Sequence, residues 1–157
     1  MGRVEARLTE LGLSLPEVVP PVAAYVPAVL DGSRVYVSGQ LPMVAGAMPA
    51  TGKVGAGAGL VSPEQAHELA RYCALNALAA IKSVVGDLDR VERVVKVVGF
   101  VAADPSFTGV PQVVNGASEL FGAVFGDRGV HARSAVGVAV LPLDAPVEVE
   151  VVVHVAD

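Results

Sequence analysis

The chain has 157 residues, of which 53% are hydrophobic and only 17% are charged, and its formal net charge is −5. This length is most simply one domain, and no segment approaches the roughly 18 apolar residues of a membrane helix. The acidic balance and the 4% aromatic content argue against a protein that binds nucleic acid through its phosphates, which needs clustered Lys and Arg, while the apolar excess predicts self-association.

The first segment with a clear pattern is RVEARLTEL, residues 3 to 11. Val4, Leu8 and Leu11 recur at helical spacing, which predicts a short amphipathic helix. A secretory signal would instead have a continuous apolar core at this point. We therefore expect a cytoplasmic protein.

A hairpin is predicted next, because Asp31-Gly32 stands between two runs with strand composition. A strand over about 22–30 should pair with one over 33–40. Residues 42–60 are dominated by Gly, Ala and Pro and predict a surface loop. Their TGKVGAGAG does not have the spacing of a Walker loop or of a dinucleotide fingerprint, so we do not expect a nucleotide site.

A long helix should begin at Ser62-Pro63, with Ser62 as N-cap, and run to about Val85 before Gly86. Its inward stripe includes Cys73. Because no cationic residue is near Cys73 in sequence, we interpret it as a small core residue and not as a reactive thiol.

The remaining pattern predicts a strand from about 94 to 103, a helix over 111–125, and two strands over 134–141 and 147–155. The element order is two strands, helix, strand, helix and two strands. It indicates an α+β domain with two helices on one face of a sheet.

Charged residues interrupt the last two strands. Glu148 and Glu150 lie on one face of a strand that is apolar on both faces further along, so at least one carboxylate should be partly enclosed and in need of a partner. In a simple hairpin, Arg133 would lie about 23 Å from Glu148. Either the two strands are not neighbours, or the two residues meet across a subunit boundary.

Five segments together resemble the Rid family of reactive-intermediate deaminases, also called YjgF-like or L-PSP endoribonuclease. They are YVSGQLP at 36–42, the helix start near 63, VNGASELF at 114–121, ARSAVGVAVLP at 132–142 and VEVE at 147–150. The resemblance implies a chorismate-mutase-like α+β fold, with two helices on one face of a mixed sheet of about six strands. It also implies a homotrimer with pockets between subunits.

The resemblance assigns roles to individual residues. Arg133 corresponds to the arginine that holds the substrate carboxylate, a task for which a planar guanidinium is suited. Glu148 corresponds to the glutamate that positions the attacking water. Tyr25, Ser38 and Asn115 match pocket residues, and Gly39 would let the backbone approach the ligand. The implied reaction is hydrolysis of a 2-imino acid or its enamine to a 2-keto acid and ammonia, without a metal or organic cofactor.

The chain also departs from the usual family pattern. His131 replaces a proline and would add a titratable group at the pocket mouth, while Ala135 replaces a pocket cysteine. The Gly-rich loop and the N-terminal helix resemble a longer branch of the family. His67 and His154 do not have metal-ligand spacing.

Three functions follow from these observations. The first is an imine or enamine deaminase acting on a small carboxylate-bearing substrate. The second is a non-catalytic trimeric binder of small carboxylic acids, which the missing cysteine would favour. The third is a ribonuclease, as in the older family name; the low charge and few aromatic residues disfavour it.

Overall fold

The computed structural model describes residues 2–18, 20 and 23–157. These residues form three helices and five strands. In chain order they are α1 (Arg3–Glu10), β1 (Ala28–Asp31), β2 (Arg34–Gln40), α2 (Pro63–Val85), β3 (Val91–Ala102), α3 (Val110–Phe125), β4 (Ala132–Val138) and β5 (Val147–Val155). None of the helices in these residues is long and apolar enough to cross a membrane.

The strands form one mixed sheet in the order β1-β2-β5-β3-β4. β3 and β4 are parallel and are joined through α3, whereas the other neighbours are antiparallel. Because β3 lies between β4 and β5, the last two strands are not neighbours. The simple hairpin considered for them does not form.

The sheet of the described residues has five strands, so the expectation of about six was wrong. The Gly-rich segment 42–60 contributes only isolated bridges, which join Val44 to Ala47 and Val54 to both Val61 and Ala103. Its small side chains supply too little apolar surface to pack another strand against the helices.

The predicted hairpin is present, with two corrections to its bounds. β1 begins at Ala28, directly after Pro27, which has no N–H to donate to a ladder. The start predicted at residue 22 lies outside the described residues. Asp31 pairs with Arg34, so the two loop residues are Gly32 and Ser33 and not Asp31 and Gly32. Gly32 adopts a positive φ of 58°, which glycine tolerates at a tight turn.

The predicted start and end of α2 are confirmed. The N–H of Gln65 donates to Oγ of Ser62 over 3.1 Å, and Gly86 ends the helix at φ 79°. Cys73 is fully buried, as expected for a core residue. β3 begins at Val91, three residues earlier than predicted, because a 3₁₀ turn over Leu88–Arg90 leads directly into it.

The two long helices cover one face of the sheet. Along β5, the residues from Val147 to Val155 alternate between buried and half-buried, and the buried valines point toward the helices. The opposite face, here called the open face, carries exposed apolar side chains, among them Val29, Tyr36 and Val136. It also holds a depression of about 180 Å³ beside Lys96 and Glu150.

The Gly-rich segment is only partly at the surface. Val54 is fully buried, its N–H donates to the Ala102 carbonyl over 2.8 Å, and its own carbonyl accepts from Asp104. The Asn76 amide of α2 also donates to the Met43 carbonyl over 3.1 Å. Val54 thus pairs alongside the end of β3, and the prediction of a surface loop was wrong for Val54 and its contacts.

Candidate active site

Arg133 on β4 is held by α3. Its Nη1 donates to Oδ1 of Asn115 over 2.7 Å and to Oγ of Ser118 over 3.2 Å, and its Nη2 donates to the Pro111 carbonyl over 3.4 Å. All three acceptors lie in the first turns of α3. We call Asn115, Ser118, His131 and Arg133 the arginine cluster.

These contacts leave one edge of the guanidinium available. A guanidinium has five N–H groups, of which two on Nη1 and one on Nη2 are used by the described residues. The N–H of Nε and the second N–H of Nη2 remain. Two adjacent donors on a planar cation match the two oxygens of a carboxylate.

His131 is part of the same cluster. Its Nδ1 lies 2.6 Å from the Gly129 carbonyl, and its Nε2 lies 2.9 Å from Oγ of Ser118. The edge of its ring meets Phe121 with 6.2 Å between centroids. His131 is therefore connected to Arg133 through the hydroxyl of Ser118.

Ser118 was not predicted from the sequence. It follows Asn115 by three residues on α3, so both side chains lie on one face of the helix and reach the same guanidinium. That i, i+3 spacing was visible in the sequence. The sequence did not show that Arg133 is the partner of this helix face, because Arg133 reaches α3 only through the parallel pairing of β3 and β4.

Glu148 lies at the other candidate position, on β5 next to the irregular end of β2. The carboxylate occupies the space beside Gly39, where a methyl group added to the glycine would overlap Oε1 of Glu148. We call Ser38, Gly39 and Glu148 the glutamate cluster. Gly39 was predicted to let the backbone approach a ligand, but the space left by its missing side chain is filled by Glu148.

The surroundings of Glu148 change its acidity. Partial burial raises the pKa of the Glu148 carboxyl above its usual value, and the nearby charge of Glu150 adds to the increase. A carboxylate with a raised pKa is a stronger base than an ordinary carboxylate. Glu148 was expected to be partly enclosed, and it is half-buried.

Ser38, a member of the glutamate cluster, is hydrogen-bonded to the segment that follows Tyr25. The Ser38 hydroxyl donates to the Val26 carbonyl over 2.6 Å, and its N–H donates to the Pro27 carbonyl. These bonds fix the segment that carries Tyr25, whose side chain is 60% exposed. Ser38 is thus hydrogen-bonded within its own chain, and Tyr25 projects into solvent in the single chain.

The two clusters do not meet within one chain. Arg133 pairs with Val97, which pairs with Val151, and Glu148 lies three residues from Val151 along β5. Standard strand spacings then put the Cα atoms of Arg133 and Glu148 about 14 Å apart. Arg133 reaches the helix side of the sheet, whereas Glu148 belongs to the open face, so the guanidinium and the carboxylate point in opposite directions.

Ala135 lies on the side of the arginine cluster. It pairs with Gly99 and packs against the hydrophobic core.

The buried Cys73 is a separate feature, since burial raises the pKa of its thiol well above the usual value and the charge of Glu148 adds to this. Cys73 therefore remains protonated and behaves as a core residue.

In the part of the chain that the structure describes, no group of three or more His, Cys, Asp or Glu residues could hold a metal ion. His67 contacts Glu119 at 3.0 Å and His154 lies 3.9 Å from Glu92, both at the surface.

Comparison with known proteins gives matches over nearly the whole chain. Residues 5–155 match the family described as "YjgF/chorismate_mutase-like, putative endoribonuclease". Protein TCP17 of Trypanosoma cruzi is 47% identical over 156 residues, which cover 98% of this chain and 94% of that protein.

Two solved structures are similar over nearly their full length. The protein Atu1372 of Agrobacterium tumefaciens, described as having unknown function, is 44% identical with a TM-score of 0.89, covering 98% of this chain and 93% of that one. A structure described as a "putative endoribonuclease" from Shewanella oneidensis is 30% identical with a TM-score of 0.91, covering 97% and 99%.

Proposed function

The chain belongs to the YjgF-like, or Rid, family, and from this premise we propose that it hydrolyses reactive 2-imino acids and their enamine tautomers to 2-keto acids and ammonia. The reaction takes place in pockets between the subunits of a homotrimer. The observation that carries the proposal is the presence of two complementary clusters on opposite sides of one sheet. One presents guanidinium donors, and the other presents a half-buried carboxylate of raised pKa.

The separation of the clusters supports a site shared between chains. Arg133 and Glu148 point to opposite sides of the sheet, so they can act on one small molecule only if a second copy supplies one of them. The exposed apolar side chains of the open face supply surface for such an association. In a closed ring of three, each interface joins the arginine cluster of one subunit to the glutamate cluster of the next.

Arg133 binds the substrate carboxylate in this proposal. The two donors not used by α3 can form parallel charge-assisted bonds to it, and Asn115 and Ser118 hold the guanidinium in place. Binding at this end fixes the imine carbon relative to the opposing subunit. Orientation supplies much of the rate gain, because an imine is already electrophilic.

Glu148 of the neighbouring subunit activates water. Its carboxylate removes a proton from the water as the oxygen adds to the imine carbon, and the imine nitrogen takes up a proton, giving a carbinolamine. The C–N bond then breaks, the nitrogen leaves as ammonia, and the carbonyl of the 2-keto acid forms. An enamine substrate must first be protonated at carbon to give the imine. The raised pKa of Glu148 makes its carboxylate a stronger base for removing the proton of the water.

The test couples the purified protein to a serine dehydratase, which releases 2-aminoacrylate, in a buffer without amines. Pyruvate release is followed for wild type, Arg133→Ala and Glu148→Gln. Arg93→Ala and Glu92→Gln are the matched controls. Arg93 is an exposed arginine of the adjacent strand that donates to the Val130 carbonyl, and Glu92 is an exposed glutamate 3.9 Å from His154.

The proposal predicts acceleration above the buffer rate by wild type and both controls. Removing Arg133 or Glu148 should lower kcat/KM by about 10²-fold or more. Absence of acceleration by wild type would contradict the deaminase and favour a carboxylic acid binder, which Ala135 in place of the cysteine also favours. A binder predicts that pyruvate raises the melting temperature in an Arg133-dependent way without turnover.

The family description supports a second activity, cleavage of RNA. The net charge of −5 provides little attraction for phosphates. Incubation of the purified protein with single-stranded RNA tests this activity. Degradation that Arg133→Ala abolishes and Arg93→Ala retains would assign it to the same pocket.

A further inference from the structure

The arginine cluster contains a chain of hydrogen bonds behind the guanidinium. It runs from the Gly129 carbonyl through the ring of His131 to the Ser118 hydroxyl and on to Nη1 of Arg133. We infer that His131 and Ser118 are positioning residues that hold Arg133 in the orientation needed to receive a substrate carboxylate. The inference rests on the proposed function, since there Arg133 is the group that binds the carboxylate.

When the His131 ring is neutral, the donors and acceptors of these hydrogen bonds allow only one placement of the protons. The Gly129 carbonyl can only accept, so Nδ1 of His131 carries the proton and Nε2 becomes the acceptor. The Ser118 hydroxyl has a single proton, and it donates that proton to Nε2 over 2.9 Å. Its oxygen lone pair is thereby turned toward Nη1 of Arg133, which can only donate.

The Gly129 end of this series of hydrogen bonds is held in place by packing. Gly129 is buried against α3, and a side chain there would overlap the Phe121 carbonyl. The Phe121 ring meets the imidazole edge-on, at an interplanar angle of 87°. The ring of His131 is therefore fixed by packing as well as by its hydrogen bonds.

The second bond to Nη1 has a specific consequence for Arg133. Without Ser118, Nη1 would keep only its bond to Asn115 at 2.7 Å, and the guanidinium could pivot about that bond against the longer 3.4 Å contact from Nη2 to the Pro111 carbonyl. Ser118 supplies a second acceptor on the same nitrogen and fixes the plane of the guanidinium. The unused edge, formed by Nε and Nη2, then points in one direction, as parallel bonding to a flat carboxylate requires.

Two variants at His131 test separately the two hydrogen bonds that its ring makes, to Ser118 and to Gly129. In His131→Gln the amide can reach the position of Nε2 and accept from Ser118, whereas in His131→Asn the shorter amide can reach only the position of Nδ1 and contact Gly129. Ser118→Ala removes the shared hydroxyl. His67→Ala is the control, because His67 contacts Glu119, the residue after Ser118, and does not contact Arg133.

Each variant is measured by pyruvate binding in a calorimeter and by KM and kcat for 2-aminoacrylate. We expect Ser118→Ala and His131→Asn to weaken binding and raise KM about tenfold, with kcat changed by no more than about twofold. His131→Gln and His67→Ala should stay near wild type. Equal losses in His131→Gln and His131→Asn, or wild-type binding in Ser118→Ala, would overturn the inference.

A readout that needs neither turnover nor ligand keeps this inference distinct from the proposed function. Nitrogen-15 spectra of the wild-type imidazoles at pH 8 should show His131 as the neutral tautomer protonated at Nδ1. Slow exchange of the Arg133 Nη protons should be lost in Ser118→Ala. Protonation at Nε2, or unchanged exchange in Ser118→Ala, would overturn the arrangement even if the protein hydrolyses imines; the expected spectra support it even if the protein does not.

Discussion

Glu148 is half-buried beside a second carboxylate, so Glu148→Gln should make the protein more stable as well as less active. The pKa of Glu148 is raised in the folded chain, so the folded state binds more protons than the unfolded chain between the two pKa values. Stability contributed by Glu148 falls as pH rises through that window, and the ionised carboxylate destabilises the fold above it. Urea unfolding at pH 8 should show a higher midpoint for Glu148→Gln than for wild type.

The difference in midpoint between Glu148→Gln and wild type should shrink as the pH falls through this window and be lost below about 4, the ordinary range of a carboxyl pKa. Glu92→Gln is the control, because Glu92 is exposed and its replacement should change the free energy of unfolding by no more than about 0.5 kcal/mol. A lower midpoint for Glu148→Gln at pH 8 would show that the carboxylate is paired with a cation in the assembled protein.

Gly39→Ala should displace the Glu148 carboxylate, because the added methyl overlaps Oε1. We expect kcat/KM for imine hydrolysis to fall at least tenfold. Gly122→Ala in α3 is the control, since nothing lies within 4 Å of the added methyl, and it should stabilise the helix by roughly 0.5–1 kcal/mol. Full activity in Gly39→Ala would exclude this placement of Glu148 from the mechanism.

Single residues of the candidate site were easier to predict than their surroundings. The motif around Arg133 singled out this residue, and its contact with Asn115 brings together two residues that the resemblance assigned to a pocket. The contacts of Ser118 with His131 and Arg133 were not predictable, because they depend on which face of α3 meets β4. Gly39 shows the same limit, since its sequence indicated a close approach but not that Glu148 makes that approach.

At the scale of elements, periodicity and capping predicted the helices well. Ser62 and Gly86 fixed the bounds of α2 because local hydrogen bonds and backbone angles determine them. The strands were harder, since pairing is non-local. The hairpin between β1 and β2 has a local turn and was predicted, whereas the insertion of β3 between β4 and β5 has no local signal.

Ser62→Ala tests the N-cap of α2 directly. Loss of the Oγ acceptor for the Gln65 N–H should lower the free energy of unfolding by about 1 kcal/mol. Ser83→Ala, within α2 near its end, replaces a hydroxyl that bonds back to the Ala80 carbonyl and should be neutral or slightly stabilising. Equal unfolding midpoints for the two variants in urea would argue against the cap.

At the scale of the whole molecule, the apolar composition predicted self-association, and the open face provides a surface for it. Tyr36 and Val136 remain 48% and 43% exposed on that face in the single chain. A carboxylate buried in an apolar interface without a partner is strongly disfavoured. Replacing both residues by Asp should therefore prevent assembly.

Sedimentation should give wild type a mass about three times the chain mass of 15.9 kDa, and the Tyr36→Asp/Val136→Asp double variant a mass near that of one chain. Imine hydrolysis should be lost together with assembly, because in the proposed mechanism each pocket takes residues from two subunits. Ser83→Asp adds a charge on the exposed surface of α2 and should keep both mass and activity. Full activity in a monomeric double variant would contradict a shared site.

The measurement that tests the central claim most directly is complementation between two inactive variants. Arg133→Ala and Glu148→Gln are produced together in equal amounts with different tags, and the mixed assemblies are isolated. If each pocket takes its guanidinium from one chain and its carboxylate from the next, every mixed trimer contains one wild-type pocket of three, and imine hydrolysis returns to about a third of the wild-type level. If the mixed assemblies remain as inactive as either variant alone, the two groups do not serve one site across subunits.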